Sequence, residues 1–221
     1  MFKIDQDLFD EESGELDRDK TADYVDELLS QFDASPEGER LREAGASIHW
    51  TKWVIDYALD HLGVPVAELS VPDFDEILFD LFPRKMSTEA ESAAEIVDEL
   101  KGFWQFVHRQ FGLPNASRIE ATLDAAATNR LRKKLADPAN YGMAKSFVML
   151  GKQAGFDMTT QEGMEQFQLI YNAQLLNKRF PRPFPLDGIE SNKTSAPRSM
   201  TPKARAELRK ARKRQDRKRK R

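Results

Sequence analysis

Apolar residues recur every three to four positions through most of residues 20–178, the spacing of helices that each bury one face. Tyr24, Val25, Leu28, Leu29 and Phe32 form the first stripe, with Thr21 placed to cap it. Ser35-Pro36 predicts a short second helix, because proline costs nothing in a first turn whose N–H groups have no intrahelical partner. A third helix begins near Ser47, carries Trp50, Trp53, Val54, Tyr57, Ala58 and Leu62 on its stripe, and ends at Gly63. Asp73 and Glu76 have capping-box spacing ahead of Phe74, Ile77, Leu78 and Leu81, and Pro83 is expected to stop that helix.

The longest predicted helix covers residues 88–111. Its stripe of Ile96, Val97, Leu100, Phe103, Trp104, Val107 and Phe111 holds one face for several turns before Gly112 ends it. Phe106 lies off that stripe, so it meets a second helix or faces a partner. Residues 115–136 form one helix, or two broken near Asp124. Asp137-Pro138 is expected to open a further helix, with Gly155 and Phe156 supplying a Schellman-type stop. Thr159 and Glu162 then box the start of a last helix bearing Met164, Phe167, Tyr171 and Leu175. No strand-like alternation competes with these patterns.

Beyond Lys178 the pattern changes. Phe180-Pro181-Arg182-Pro183-Phe184-Pro185 alternates proline with larger residues and is expected to be extended, near polyproline II. Residues 191–200 are rich in Ser, Asn, Thr and Pro and predict a flexible linker.

Charge changes the picture most. Residues 201–221 hold twelve Lys or Arg against Glu207 and Asp216, a net +10 on a chain whose total is −3. The remaining 200 residues therefore sum to −13, and residues 1–40 alone carry −10. Such a basic block seeks polyanions, nucleic acid first, through the release of condensed counterions. The cations that define the candidate nucleic-acid site are Lys203, Arg205, Arg209, Lys210, Arg212, Lys213, Arg214, Arg217, Lys218, Arg219, Lys220 and Arg221. Nothing in their spacing specifies base-reading geometry, so affinity without sequence preference is expected. The −10 and +10 ends are expected to be simply solvated, with transient pairing between them within the chain as the alternative.

Catalytic and metal chemistry finds little support. The chain has no cysteine, which removes disulfides, thiolate metal sites and cysteine nucleophiles and suits a reducing cytosol. His49, His61 and His108 form no His-Glu-x-x-His and no Glu-x-x-His pair, so each is expected to be a packing or edge residue. Gly151-Lys152-Gln153 lacks the remaining residues of a phosphate loop, and Gly151, with Ala144 and Ala154 nearby, is expected to let a neighbouring helix come close instead. The groups Asp73, Glu76, Asp80 and Glu95, Asp98, Glu99 are expected to be solvated faces. The rings of Trp50, Trp53, Tyr57, Phe103, Trp104 and Phe106 are expected in the core rather than stacked on bases.

Tyr141-Gly142-Met143-Ala144-Lys145-Ser146-Phe147 and Gly155-Phe156-Asp157-Met158-Thr159-Thr160 resemble an uncharacterised all-helical domain of bacterial proteins, over residues 140–171. The resemblance implies a helical fold and a bacterial cytoplasm, and brings no activity, ligand or functional residue.

The expected fold is all-α, an irregular or orthogonal multi-helix bundle with disordered charged termini. Its divisions are an acidic mobile leader (1–19), a helical globular domain (20–178), a Pro-rich then flexible linker (179–200) and a basic tail (201–221). The expected function is a non-enzymatic, cytoplasmic adaptor that binds nucleic acid, RNA rather than DNA, through the tail, with a protein partner on the body. It needs no cofactor, metal or membrane. A protein-interaction module whose tail docks an acidic partner is the alternative, and a small-substrate enzyme without a recognised motif is the third reading.

Overall fold

A computed structural model describes residues 2–10 and 13–176. Among them the fold is all-α, and its one β feature is an isolated antiparallel bridge between Phe9 and Leu16. The helices are α1 (Arg18–Asp33), α2 (Pro36–Glu43), α3 (Trp50–Asp56), α4 (Val71–Glu76), α5 (Phe82–Lys85), α6 (Ala93–Phe111), α7 (Pro114–Glu120), α8 (Ala125–Ala136), α9 (Met143–Gln153) and α10 (Gln161–Leu176).

Helix α6 is the central element, and α2, α3, α7 and α8 all pack on it. Its inward face buries Ile96, Val97, Leu100, Phe103, Trp104 and Val107. Phe106 meets a second helix: its ring lies 5.7 Å from that of Phe32 on α1. Trp104 receives Phe74 edge-on at 5.8 Å, the arrangement that sets the positive edge of one ring on the negative face of the other. Gly102 lets α2 approach, since a Cβ there would come within 3.2 Å of Leu41 Cδ1. Arg109 near the end of α6 holds Glu37 on α2 through two hydrogen bonds of 2.8 Å, a fork matched to both carboxylate oxygens. That fork lowers the Glu37 carboxyl to about 2.

Two helical runs contain π turns. Residues Tyr57–His61 extend α3 in π register, with Leu62 N–H donating to the Tyr57 carbonyl at 3.0 Å, and residues Ile77–Leu81 join α4 to α5 in the same way. The second corrects the expectation at Pro83. The helix continues through Pro83 to Lys85, because the widened turn before it relieves the clash a proline ring makes with the previous turn. The buried face of α3 centres on Thr51, Ile55 and Ala58, which leaves Trp53 nearly opposite and 41% exposed.

Several caps sit a few residues from their expected places. Asp17, not Thr21, starts α1, its carboxylate accepting the Lys20 N–H at 3.2 Å. The capping box of α4 is Ser70 with Asp73, each side chain accepting the other's backbone N–H. Thr160 rather than Thr159 caps α10, its hydroxyl accepting the Gly163 N–H at 3.1 Å. The predicted cap at Asp124 is present, with Ala127 N–H donating to its carboxylate at 2.8 Å.

The largest departure is at the N-terminus. Residues 1–19 are expected as a mobile leader, but Phe2, Ile4, Leu8, Phe9 and Leu16 anchor the described part of this stretch to the core. Leu8 is fully buried, Ile4 nearly so, and Phe2 lies against the Tyr24 and Phe111 rings at 5.3 and 6.0 Å. Tyr24 Oη donates to the Ile4 carbonyl at 3.1 Å, and Asp17 N–H donates to the Leu8 carbonyl at 2.9 Å. Burial raises the Tyr24 phenol well above its ordinary range.

Helices α9 and α10 form an outlying hairpin with its own small aromatic cluster. The Phe147 and Phe167 rings are 4.8 Å apart, with Phe156 and Tyr171 completing the group. Asp137-Pro138 opens only a 3-10 turn (Pro138–Asn140); α9 begins later, at Met143, where the Gly142 N–H is held by the Arg84 carbonyl at 2.9 Å. The Schellman stop after α9 is present, Phe156 N–H reaching Gly151 and Gly155 N–H reaching Lys152, both at 3.0 Å. Gly151 admits the Met158 side chain, whose sulfur a Cβ at that position would overlap.

Candidate nucleic-acid interface

The twelve tail cations on which the sequence-based site rests lie outside the described residues, as do the 179–200 linker and its proline run. The described residues contribute an open groove of about 610 Å³ on α8, lined by Asn129, Arg130, Lys133, Lys134, Asp137 and Asn140 among others. Helix α8 carries Arg130, Arg132, Lys133 and Lys134 and no acid; the carboxylates at its ends are the N-cap Asp124 and the C-cap Asp137, and Asp137 lines the groove. Arg130 is held in place from two sides. Its guanidinium donates to Asp75 at 2.7 Å and lies 3.7 Å from the centre of the Phe79 ring. Lys134 is 3.7 Å from Asp80, and Arg132 donates to Asn129 at 3.1 Å. The far end is closed by side chains: Asn140 Nδ2 and Tyr141 Oη donate to the Lys134 and Leu135 carbonyls, which have no intrahelical donor there. The groove thus offers cations and amides to an anion, with Arg130 pre-oriented by ring and carboxylate.

A second groove, about 750 Å³, has the opposite character. It lies between the anchored N-terminal segment and α1, lined by Phe2, Gln6, Asp23, Tyr24, Asp26 and Glu27 among others. Asp23, Asp26 and Glu27 of α1 therefore form an acidic wall beside Phe2 and Gln6.

Two charged groups are in the interior, and the sequence pattern did not show either role. Glu99 was expected on a solvated face, but it is fully buried. Its carboxylate accepts the backbone N–H groups of His49 (3.2 Å) and Thr51 (2.6 Å), capping α3 from α6 across fifty residues of sequence. The available signal was position: Glu99 lies three residues after Ile96 and four before Phe103, on the apolar stripe itself. Lys145 is 1% exposed, its Nζ has no hydrogen-bond partner, and the amine sits 4.2 Å from the centre of the Tyr141 ring. Burial lowers it to about 8, while the ring's negative face favours the charged form.

The His49 ring lies 4.2 Å from that of Trp50, tilted by 42°, and its Nδ1 is 3.0 Å from Ser47 Oγ, while His108 is exposed. Asp73 is engaged in the α4 capping box, and Asp80 stands beside Lys134. Glu95 and Asp98 are exposed, as expected. Of the six rings weighed as base-stacking surfaces, Trp50, Phe103, Trp104 and Phe106 are buried, Tyr57 is half-buried and Trp53 is exposed. Among the described residues no group of His, Asp or Glu is arranged to hold a metal ion, and no helix is long and apolar enough to cross a membrane. No family model, curated protein or solved structure matches the chain.

Proposed function

We propose that this protein is a non-enzymatic helical adaptor that binds nucleic acid, RNA rather than DNA, without sequence preference, by means of residues 201–221. The observation that carries the reading is the tail's charge, twelve cations and two acids on a chain that is otherwise −13. A block of that density gains most of its affinity from phosphate neutralisation, which needs no prearranged geometry. Arginine-rich segments suit RNA, whose loops and ends present phosphates, 2′-hydroxyls and unstacked bases together. The α8 groove supports the reading with an oriented arginine and two lysines on the body. The cysteine-free composition supports a cytoplasmic place for this activity.

The test is what accompanies the full chain on purification. RNA is expected to co-purify, raising the 260/280 nm absorbance ratio, and ribonuclease is expected to lower it. A preparation free of nucleic acid that retains one acidic protein after nuclease treatment would assign the tail to a protein partner.

A further inference from the structure

Trp53 differs from the other two tryptophans of the chain. Trp104 is fully buried and Trp50 nearly so, whereas the Trp53 side chain on α3 is exposed. Its indole rests on the Tyr57 ring one turn further on, with centroids 6.1 Å apart and planes 31° from parallel. Tyr57 is fixed in turn: its ring meets the fully buried Phe82 ring edge-on at 5.9 Å, and its hydroxyl donates to Met86 Sδ at 3.5 Å. The Lys85 amine lies 5.3 Å from the centre of the same Tyr57 ring, and Lys85 is exposed and makes no ion pair among the described residues. Lys52, beside Trp53 in sequence, and Asp56 neutralise each other at 2.7 Å. The result is an exposed indole on a fixed ring, with an unneutralised cation beside that ring.

We infer that Trp53 is a stacking site for one base of a single-stranded RNA, with Lys85 beside it for a neighbouring phosphate. The inference rests on the nucleic-acid reading of the tail and adds to it a contact on the folded body. Scale favours this occupant. Along α3 and its π turn no other large apolar side chain is exposed, so the patch lacks the apolar centre on which a protein interface of about 800 Å² a side is built. A base needs only one ring. Charge agrees, because a lysine amine next to the stack suits the phosphate that accompanies every base. The backing by Tyr57 and Phe82 orders the platform before binding, which lowers the entropic cost of using it. Every base has a π face, so the contact fits binding without sequence preference. Being uncharged, the stack responds little to salt; it adds to the tail's phosphate contacts and does not replace them.

Tryptophan fluorescence reads this contact, because the other two indoles are buried. The full chain is titrated with a short single-stranded oligoadenylate and with an abasic ribose-phosphate oligomer of the same length. Oligoadenylate is expected to quench the emission, while the abasic oligomer, with the same phosphates, is expected to bind without quenching. Trp53→Ala is expected to remove the quench and weaken oligoadenylate binding about 5-fold or more, leaving abasic binding and helical circular dichroism unchanged. Trp53→Tyr, which keeps a ring, is expected to recover most of that affinity. Lys85→Gln is expected to lower the log–log salt slope by about 0.7 and to leave the quench in place. A quench that survives Trp53→Ala, an unchanged affinity, or an equal loss for both oligomers would overturn the inference and leave the tail reading standing. A full chain that binds neither oligomer at low salt would overturn the tail reading and this inference with it. A protein that co-purifies with the full chain and is lost in Trp53→Ala, with RNA binding unchanged, would overturn it too and assign the patch to that protein.

Discussion

Two interior charges, on α6 and α9, show how local chemistry is settled by long-range packing. Glu99 is the cap that α3 lacks locally: the N-cap residue His49 makes no side-chain bond to the turn, and a carboxylate from α6 accepts its orphan N–H groups instead. A three-residue local signal cannot reveal a cap that arrives from another helix, which is why this one was not legible. Lys145 gives a prediction with a defined sign. Its amine titrates near 8 when folded and near 10.5 when unfolded. Below pH 8 both states carry the ammonium and the folded state bears the whole desolvation cost. Between about pH 8 and 10.5 the folded amine releases its proton first, so the cost is relieved and stability rises with pH. Lys145→Met is therefore expected to melt higher than the parent at pH 7, with the margin narrowing by pH 10. Paired melting curves across that range provide the check. A margin independent of pH would mean that the amine is solvated, not desolvated as described.

At the scale of elements, the helices best read from sequence are those whose start and stop signals are local. Ser35-Pro36 opens α2 and Asp124 caps α8 where expected, and Gly112 and Gly155 end α6 and α9 with φ of +65° and +86°. The misread places have a common cause, an element that depends on a distant partner. Trp53 was assigned inward because it is large, but the register of α3 is set by Thr51, Ile55 and Ala58 against the core. Residues 2–16 place Phe2, Ile4, Leu8, Phe9 and Leu16 at no regular period, and the acids between them gave the stretch the composition of a disordered segment. Only the pocket formed by Tyr24, Phe111 and their neighbours makes those residues core. Leu8→Ala tests that anchoring directly. A fully buried leucine is worth about 2–5 kcal/mol on truncation, whereas a residue in a mobile leader is worth almost nothing. Urea unfolding is expected to show that loss as a lower midpoint with an unchanged slope; an unchanged midpoint would return the segment to the solvent.

The whole molecule separates its charge. Acidic side chains line the groove between the N-terminal segment and α1, basic ones line α8, and the tail adds +10. The all-α class was legible because periodicity is a local property of the sequence, whereas the α8 groove was not. Its members Arg130 and Lys134 acquire fixed positions only through Asp75, Phe79 and Asp80, more than fifty residues away. Repulsion within so basic a block contributes little to a folded core, so its part in binding is separable from stability. The most direct measurement is the affinity of the full chain, and of a chain ending at Met200, for a fluorescent single-stranded RNA at 50 and 200 mM salt. With about six to ten phosphates neutralised, full-chain affinity is expected to fall about 10³- to 10⁵-fold over that range. The shortened chain is expected to lose this salt-sensitive binding while melting at nearly the same temperature. A shortened chain that keeps its affinity would contradict the account and place the binding surface on the folded body.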